Sequence, residues 1–122
     1  MFKNFLRSIQ SFFGGMHVDE LPGFRRFTQQ AAQSILLAQE ESRRFQHQYV
    51  GTEQILVGLL AQETGIASQV LRSMGVELEP VRQAIEDYIG HGSGTPEQIL
   101  FTPRTIRVVE IALKQAKQLK HS

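Results

Sequence analysis

The stretch "YVGTEQILVGLL", Tyr49 to Leu60, puts a threonine and a glutamate directly after a glycine, where a helix should begin. The first turn of a helix carries backbone N–H groups with no intrahelical acceptor, so such a start can receive an anion. Two readings follow for Thr52 and Glu53. In the structural one, Thr52 is the N-cap and Glu53 complements the helix dipole by about 0.3–1 kcal/mol. In the functional one, the same groups face a ligand. Glu53 would repel a simple phosphate, but it would suit a zwitterion with phosphate at the N–H groups and guanidinium on the carboxylate, a strong paired contact.

Other chemistry finds little support. His17, His47, His91 and His121 make no close pair such as H-x-x-x-H, so no metal is expected. "GHGSG" is glycine-rich, yet no lysine completes a phosphate loop, and it reads as a flexible linker. No Ser-His-Asp set or paired carboxylates stand out, so neither catalysis nor a cofactor is expected. Arg104, Arg107, Lys114, Lys117 and Lys120 make the last helix basic. That pattern is either a solvated face or a surface for an acidic partner.

These residues must be positioned by a chain of 122 residues, enough for one modest domain. Apolar and charged fractions of 41% and 20% are those of an ordinary globule, and a net charge of +1 argues against a nucleic-acid binder. The absence of cysteine excludes disulfides and thiolate metal sites. No apolar run is long enough to cross a membrane, and the leader lacks the features of a secretory signal.

The periodicity predicts helices throughout. Phe2, Phe5, Leu6, Ile9, Phe12 and Phe13 recur at helical spacing with Lys3 and Arg7 between them. Residues 2–13 therefore read as an amphipathic helix, packed on its own domain or laid on a membrane surface. "HVDELPGF" reads as a linker with Pro22-Gly23 as its turn. A helix should start at Thr28 as N-cap, with Ala31, Ile35, Ala38 and Phe45 inward and the stripe widened by Ala32 and Leu36. The next should bury Ile55, Leu56, Leu59 and Leu60 and end at Thr64-Gly65. A short third carries Ile66, Val70, Leu71 and Met74, with Gly75 at C′. A fourth starts near Pro80, shows Val81, Ala84, Ile85, Tyr88 and Ile89 in an i, i+3, i+4, i+7, i+8 apolar stripe, and stops at Gly90. The last opens with Thr102-Pro103 and turns Ile106, Val109, Leu113 and Ala116 inward. No convincing strand is visible, although "QILF" could extend briefly.

The chain also repeats itself. "FTQQAAQSILLAQEESRRFQHQ" aligns with "FTPRTIRVVEIALKQAKQLKHS" at a constant offset of 74, from Phe27 to Phe101 and from His47 to His121. Phe, Thr, Ala38 with Ala112, and the late His coincide, and apolar positions match between them.

The early Phe-Thr, the "AQEE" helix, the "GTEQILVGLL" block and the later "FTPR" closely resemble the Clp N-terminal domain, the all-α double repeat at the front of ClpC-type Hsp100 unfoldases. The resemblance runs from about Phe27 to Ser122. It implies an all-α domain with a first repeat over 27–90, a linker over 91–100 and a partial second repeat over 101–122, preceded by an extension and linker over 1–26. It further implies a non-catalytic accessory or adaptor whose partners are Clp protease or Hsp100 subunits, adaptors or clients. Stand-alone ClpT-like accessory proteins are one such kind. The alternative is the client-binding front end of a larger ClpC-type ATPase, and the second copy here stops before a second Gly-Thr-Glu. Some relatives read phosphoarginine on clients. By that resemblance Thr28, Val50, Gly51, Thr52 and Glu53 would form a first site, and Thr102 would begin a second. A cytoplasmic or plastid-stromal setting suits either reading.

Overall fold

The computed structural model describes residues 15–93 and 99–119. The amphipathic segment 2–13, residues 94–98 of the expected linker, and Lys120 and His121 lie outside the described residues. Among the described residues five α-helices follow one another: α1 (Gln29–Arg44), α2 (Thr52–Ala61), α3 (Ile66–Ser73), α4 (Leu78–Ile89) and α5 (Pro103–Gln118). Two short strands, β1 (Tyr49–Val50) and β2 (Leu100–Phe101), pair in parallel, with Tyr49 opposite Leu100 and Val50 opposite Phe101. Leu100–Phe101 of "QILF" thus does extend, and its partner lies some fifty residues away, beyond the reach of any local pattern.

Local chemistry accounts for most helix ends. Thr28 Oγ1 accepts from Ala31 N–H at 3.1 Å, and Thr102 Oγ1 accepts from Thr105 N–H at 3.2 Å, with Pro103 opening α5. At the end of α3, Gly75 N–H donates to Arg72 O and Val76 N–H to Leu71 O, with Gly75 at φ +84°. That is the left-handed stop expected of a glycine at C′. The end of α1 uses the same bonding, His47 N–H to Ser42 O and Gln46 N–H to Arg43 O, but with Gln46 at φ +61°.

The core gathers Leu21, Ile35, Ala38, Val50, Ile99, Phe101, Ile106 and Val109. Leu21 is only 3% exposed, and Met16, Val18, Phe24 and Phe27 pack against the same cluster. "HVDELPGF" therefore lies on the core rather than apart from it, although Gly23 does turn the chain, at φ +64°. Met16 extends the small sheet through an antiparallel bridge to Phe101.

Helix faces match the periodicity unevenly. On α5, Ile106 and Val109 are buried and Leu113 and Ala116 half-buried, as the spacing predicts. On α1, Ile35 and Ala38 are buried, but Leu36 is 46% exposed, and the buried side continues through Ser34, Glu41 and Ser42. Glu41 is tolerable there because Arg82 Nε of α4 donates to it at 2.9 Å. On α2 the buried positions are Gln54, Val57, Gly58 and Leu60, while Ile55, Leu56 and Leu59 are half-buried. Gly58 explains the shift. A Cβ there would lie 2.1 Å from Ser34 O and 3.0 Å from Ala38 Cβ, so α1 and α2 touch backbone to backbone across it. The expected inward stripes of α3 and α4 are corrected most. Ile66, Met74 and Tyr88 are 78%, 71% and 87% exposed, and Val70 and Ala84 are also exposed. Of the expected positions Leu71, Val81 and Ile85 are half-buried, and Ser68, outside the pattern, is buried.

Candidate functional site

Because β1 and β2 run parallel, the helices that follow them, α2 and α5, start side by side. Thr102 N–H donates to Val50 O at 3.1 Å, and Thr105 Oγ1 donates to the same carbonyl at 2.9 Å. Two positive helix ends therefore open on one cleft of about 400 Å³. Thr52, Glu53 and Gln54 line it from α2, Thr102 and Arg104 from α5, and His47, Tyr49 and Ile89 from the surrounding chain.

The start of α2 differs from the sequence expectation. Gly51, not Thr52, is the N-cap, and Thr52 is the first helical residue. The physical reason is Gln54. Its Oε1 reaches back to accept from Gly51 N–H at 2.8 Å, which fixes the chain entry one residue earlier. Glycine brings no side-chain acceptor, so no cap bond covers the first-turn N–H groups of α2. At α1 and α5 the threonine hydroxyls take that place. The Thr52 hydroxyl is thereby left without a capping role. The Glu53 carboxylate folds back over Gly51, so that a Cβ on Gly51 would lie 2.3 Å from its Oε2.

On the α5 side, Thr102 and Thr105 form a short relay. Thr105 spends its proton on Val50 O, so across the 2.8 Å contact between the hydroxyls Thr102 is the donor. The Thr102 proton is thus committed within the fold, and Thr102 shapes the wall of the cleft. His47 Nε2 donates to Gly90 O at 2.9 Å, a bond that ties the end of α1 to the end of α4 and holds Ile89 at the rim.

The structure joins some of the expected site residues and separates others. Gly51, Thr52, Glu53 and Thr102 converge on the cleft. Val50 is fully buried beneath it and contributes its carbonyl to α5. Thr28 lines other hollows and does not line this cleft. Arg104, expected on a basic partner face, is exposed and lines the same cleft as Glu53. Arg107, Lys114 and Lys117 are exposed farther along α5. The sequence signal for Arg104 was its place two residues after the Thr102 cap, which is informative only once the parallel pairing is known. Among the described residues no group of three or more His, Asp or Glu is placed to hold a metal ion. No described helix is long and apolar enough to cross a membrane.

Comparison with known proteins agrees with this architecture. Residues 26–122 match the Clp repeat (R) N-terminal domain. The ATP-dependent Clp protease ATP-binding subunit ClpA homolog of Guillardia theta is 54% identical over 100 residues, covering 81% of this chain and 12% of that protein. Chaperone protein ClpC1, chloroplastic, of Arabidopsis thaliana is 53% identical over 100 residues, covering 81% of this chain and 11% of that protein. The chain thus spans only 11–12% of the length of these relatives. With its helical fold, its internal repeat and this match over most of its length, the chain belongs to the Clp repeat N-terminal domain family.

Proposed function

We propose that this chain is a non-catalytic accessory or adaptor of the Clp chaperone–protease system that binds a protein partner or client through the cleft between α2 and α5. The observation that carries the reading is the start of α2 without a side-chain cap bond, with Thr52, Glu53 and Arg104 lining one concavity. Amides and Arg104 suit a phosphate, and Glu53 suits a guanidinium. A phosphoarginine side chain offers both groups in the required order. Bonds of this kind discriminate by charge and geometry, as expected of a docking site, and they break no bond in the client.

A second reading is favoured by the relatives, whose names describe ATP-binding subunits and chaperones far longer than this chain. In that reading the domain is the client-binding front end of a larger ClpC-type ATPase. Both readings use the same cleft, in the cytoplasm or in a plastid stroma. Titration of the chain with free phosphoarginine, monitored by calorimetry, tests the site. Saturable binding that Glu53→Ala abolishes supports it, and equal binding by both proteins removes Glu53 from the account. Recovery of Clp peptidase or Hsp100 subunits on the tagged chain from native extract tests the wider role. Their absence, with the chain folded, refutes it.

A further inference from the structure

Several donors around the cleft between α2 and α5 are already spent within the fold. Thr102 gives its proton to Thr105, and His47 Nε2 donates to Gly90 O. The Gly51 N–H is taken by Gln54 Oε1 at 2.8 Å. Gln54 differs from these groups because half of its carboxamide stays unspent. The residue is only 4% exposed, yet it lines the cleft. A backbone N–H must meet an acceptor, so the bond from Gly51 turns Oε1 towards the backbone and Nε2 away from it. Among the described residues Nε2 has no hydrogen-bond partner, and it is not sealed from solvent. Two N–H groups on a side chain fixed by its own bond and by burial are thus kept for an acceptor that enters the cleft.

The chemistry of these two N–H groups bears on selection. An amide that accepts at its oxygen is polarised and donates more strongly at its nitrogen. Gln54 therefore passes the Gly51 N–H on as a donor in the cleft, beside the positive end of α2. Glu53 attracts a guanidinium whether or not it is phosphorylated, so it cannot tell the two apart. An unmodified guanidinium has five donors and no acceptor, and would leave Nε2 facing other donors. A phosphoryl group brings the missing acceptors. Sites that hydrogen-bond a ligand group reject analogues lacking it, because the buried polar partner is left unpaired. We propose that Gln54 is a specificity-determining residue of this cleft, whose Nε2 donates to the phosphoryl group and so separates phosphoarginine from unmodified arginine. The inference rests on the phosphoarginine reading of the cleft.

The test titrates the isotope-labelled full chain with phosphoarginine and, separately, with N-acetylarginine amide, followed by NMR. The side-chain amide resonances of Gln54 should shift and saturate with phosphoarginine and stay in place with the unmodified analogue. Gln54→Met keeps the length of the side chain and adds no charge. It should weaken phosphoarginine at least about tenfold, as the loss of a hydrogen bond to a charged acceptor implies, and should change the analogue by no more than about twofold. Gln54→Glu keeps an acceptor for the Gly51 N–H but replaces the donors by a carboxylate, so it should lose phosphoarginine and retain the analogue. Circular dichroism confirms that each variant is folded, and the Gln54 resonances decide the matter in the wild type alone. The proposal is overturned if phosphoarginine saturates the cleft with those resonances unmoved, or if folded Gln54→Met binds it as the wild type does. Equal weakening of both ligands confines Gln54 to its bond with Gly51 and overturns it too. A wild-type chain that binds no phosphoarginine refutes the reading of the cleft itself, and this inference with it.

Discussion

Replacing Gly58 by alanine probes the contact on which the whole arrangement of α1 and α2 depends. By helix propensity alone the change should stabilise, since alanine exceeds glycine in a helix interior by about 0.5–1 kcal/mol. The structure reverses the sign. The new methyl would sit 2.1 Å from Ser34 O and 3.0 Å from both Ala38 N and Ala38 Cβ. None of these atoms can swing aside, because all belong to the backbone of α1 or to its Cβ. The helices must separate by roughly 1 Å to restore an ordinary contact, at an overpacking cost of about 1–3 kcal/mol beyond the propensity gain. A net loss near 2 kcal/mol corresponds to a melting temperature lower by roughly 6–10 °C for a domain of this size. Thermal melts by circular dichroism and urea titrations, with the slope of the latter unchanged, measure it. Gly75→Ala is the control, because Gly75 has φ +84° and no atom within 4 Å of the added methyl, so only backbone strain of about 1 kcal/mol applies. Since α2 carries Thr52 and Glu53, Gly58→Ala should also weaken phosphoarginine binding. A melting temperature equal to or above that of the wild type would refute the close approach of α1 and α2.

Gln46→Gly should stabilise the fold by about 0.5–1 kcal/mol, read as a higher urea midpoint, because Gln46 ends α1 at φ +61° where glycine carries no Cβ penalty. Arg82→Ala should cost about 3 kcal/mol by leaving the 5%-exposed Glu41 without the guanidinium 2.9 Å away, and Glu41→Gln in the same background should recover part of that loss. Thr28→Ala should lower stability by about 1 kcal/mol through loss of the bond to Ala31 N–H, and should leave phosphoarginine binding intact because Thr28 does not line the cleft. Arg104→Ala should weaken phosphoarginine binding at least several-fold in calorimetry while leaving the melting temperature within about a degree, since Arg104 is exposed.

What the residues determined unaided is local or repetitive. Thr28 and Thr102 announce two caps and Gly75 a stop, because each effect is confined to one turn of backbone. The offset between α1 and α5, and the "GTEQILVGLL" block with its family resemblance, need only the order of residues along the chain. Where the reading failed, a contact that apolar periodicity does not encode decided. Gly51 displaced Thr52 as cap because Gln54 turns back upon it, and Ile66, Met74 and Tyr88 face outward while Ser68 is buried and Leu71 and Ile85 are half-buried. Arg104 joined Glu53 only through the pairing of Tyr49–Val50 with Leu100–Phe101, some fifty residues apart. Periodicity states that a helix has an apolar side, but the free energy of burial depends on which surface arrives to cover that side, and only the folded chain contains that surface.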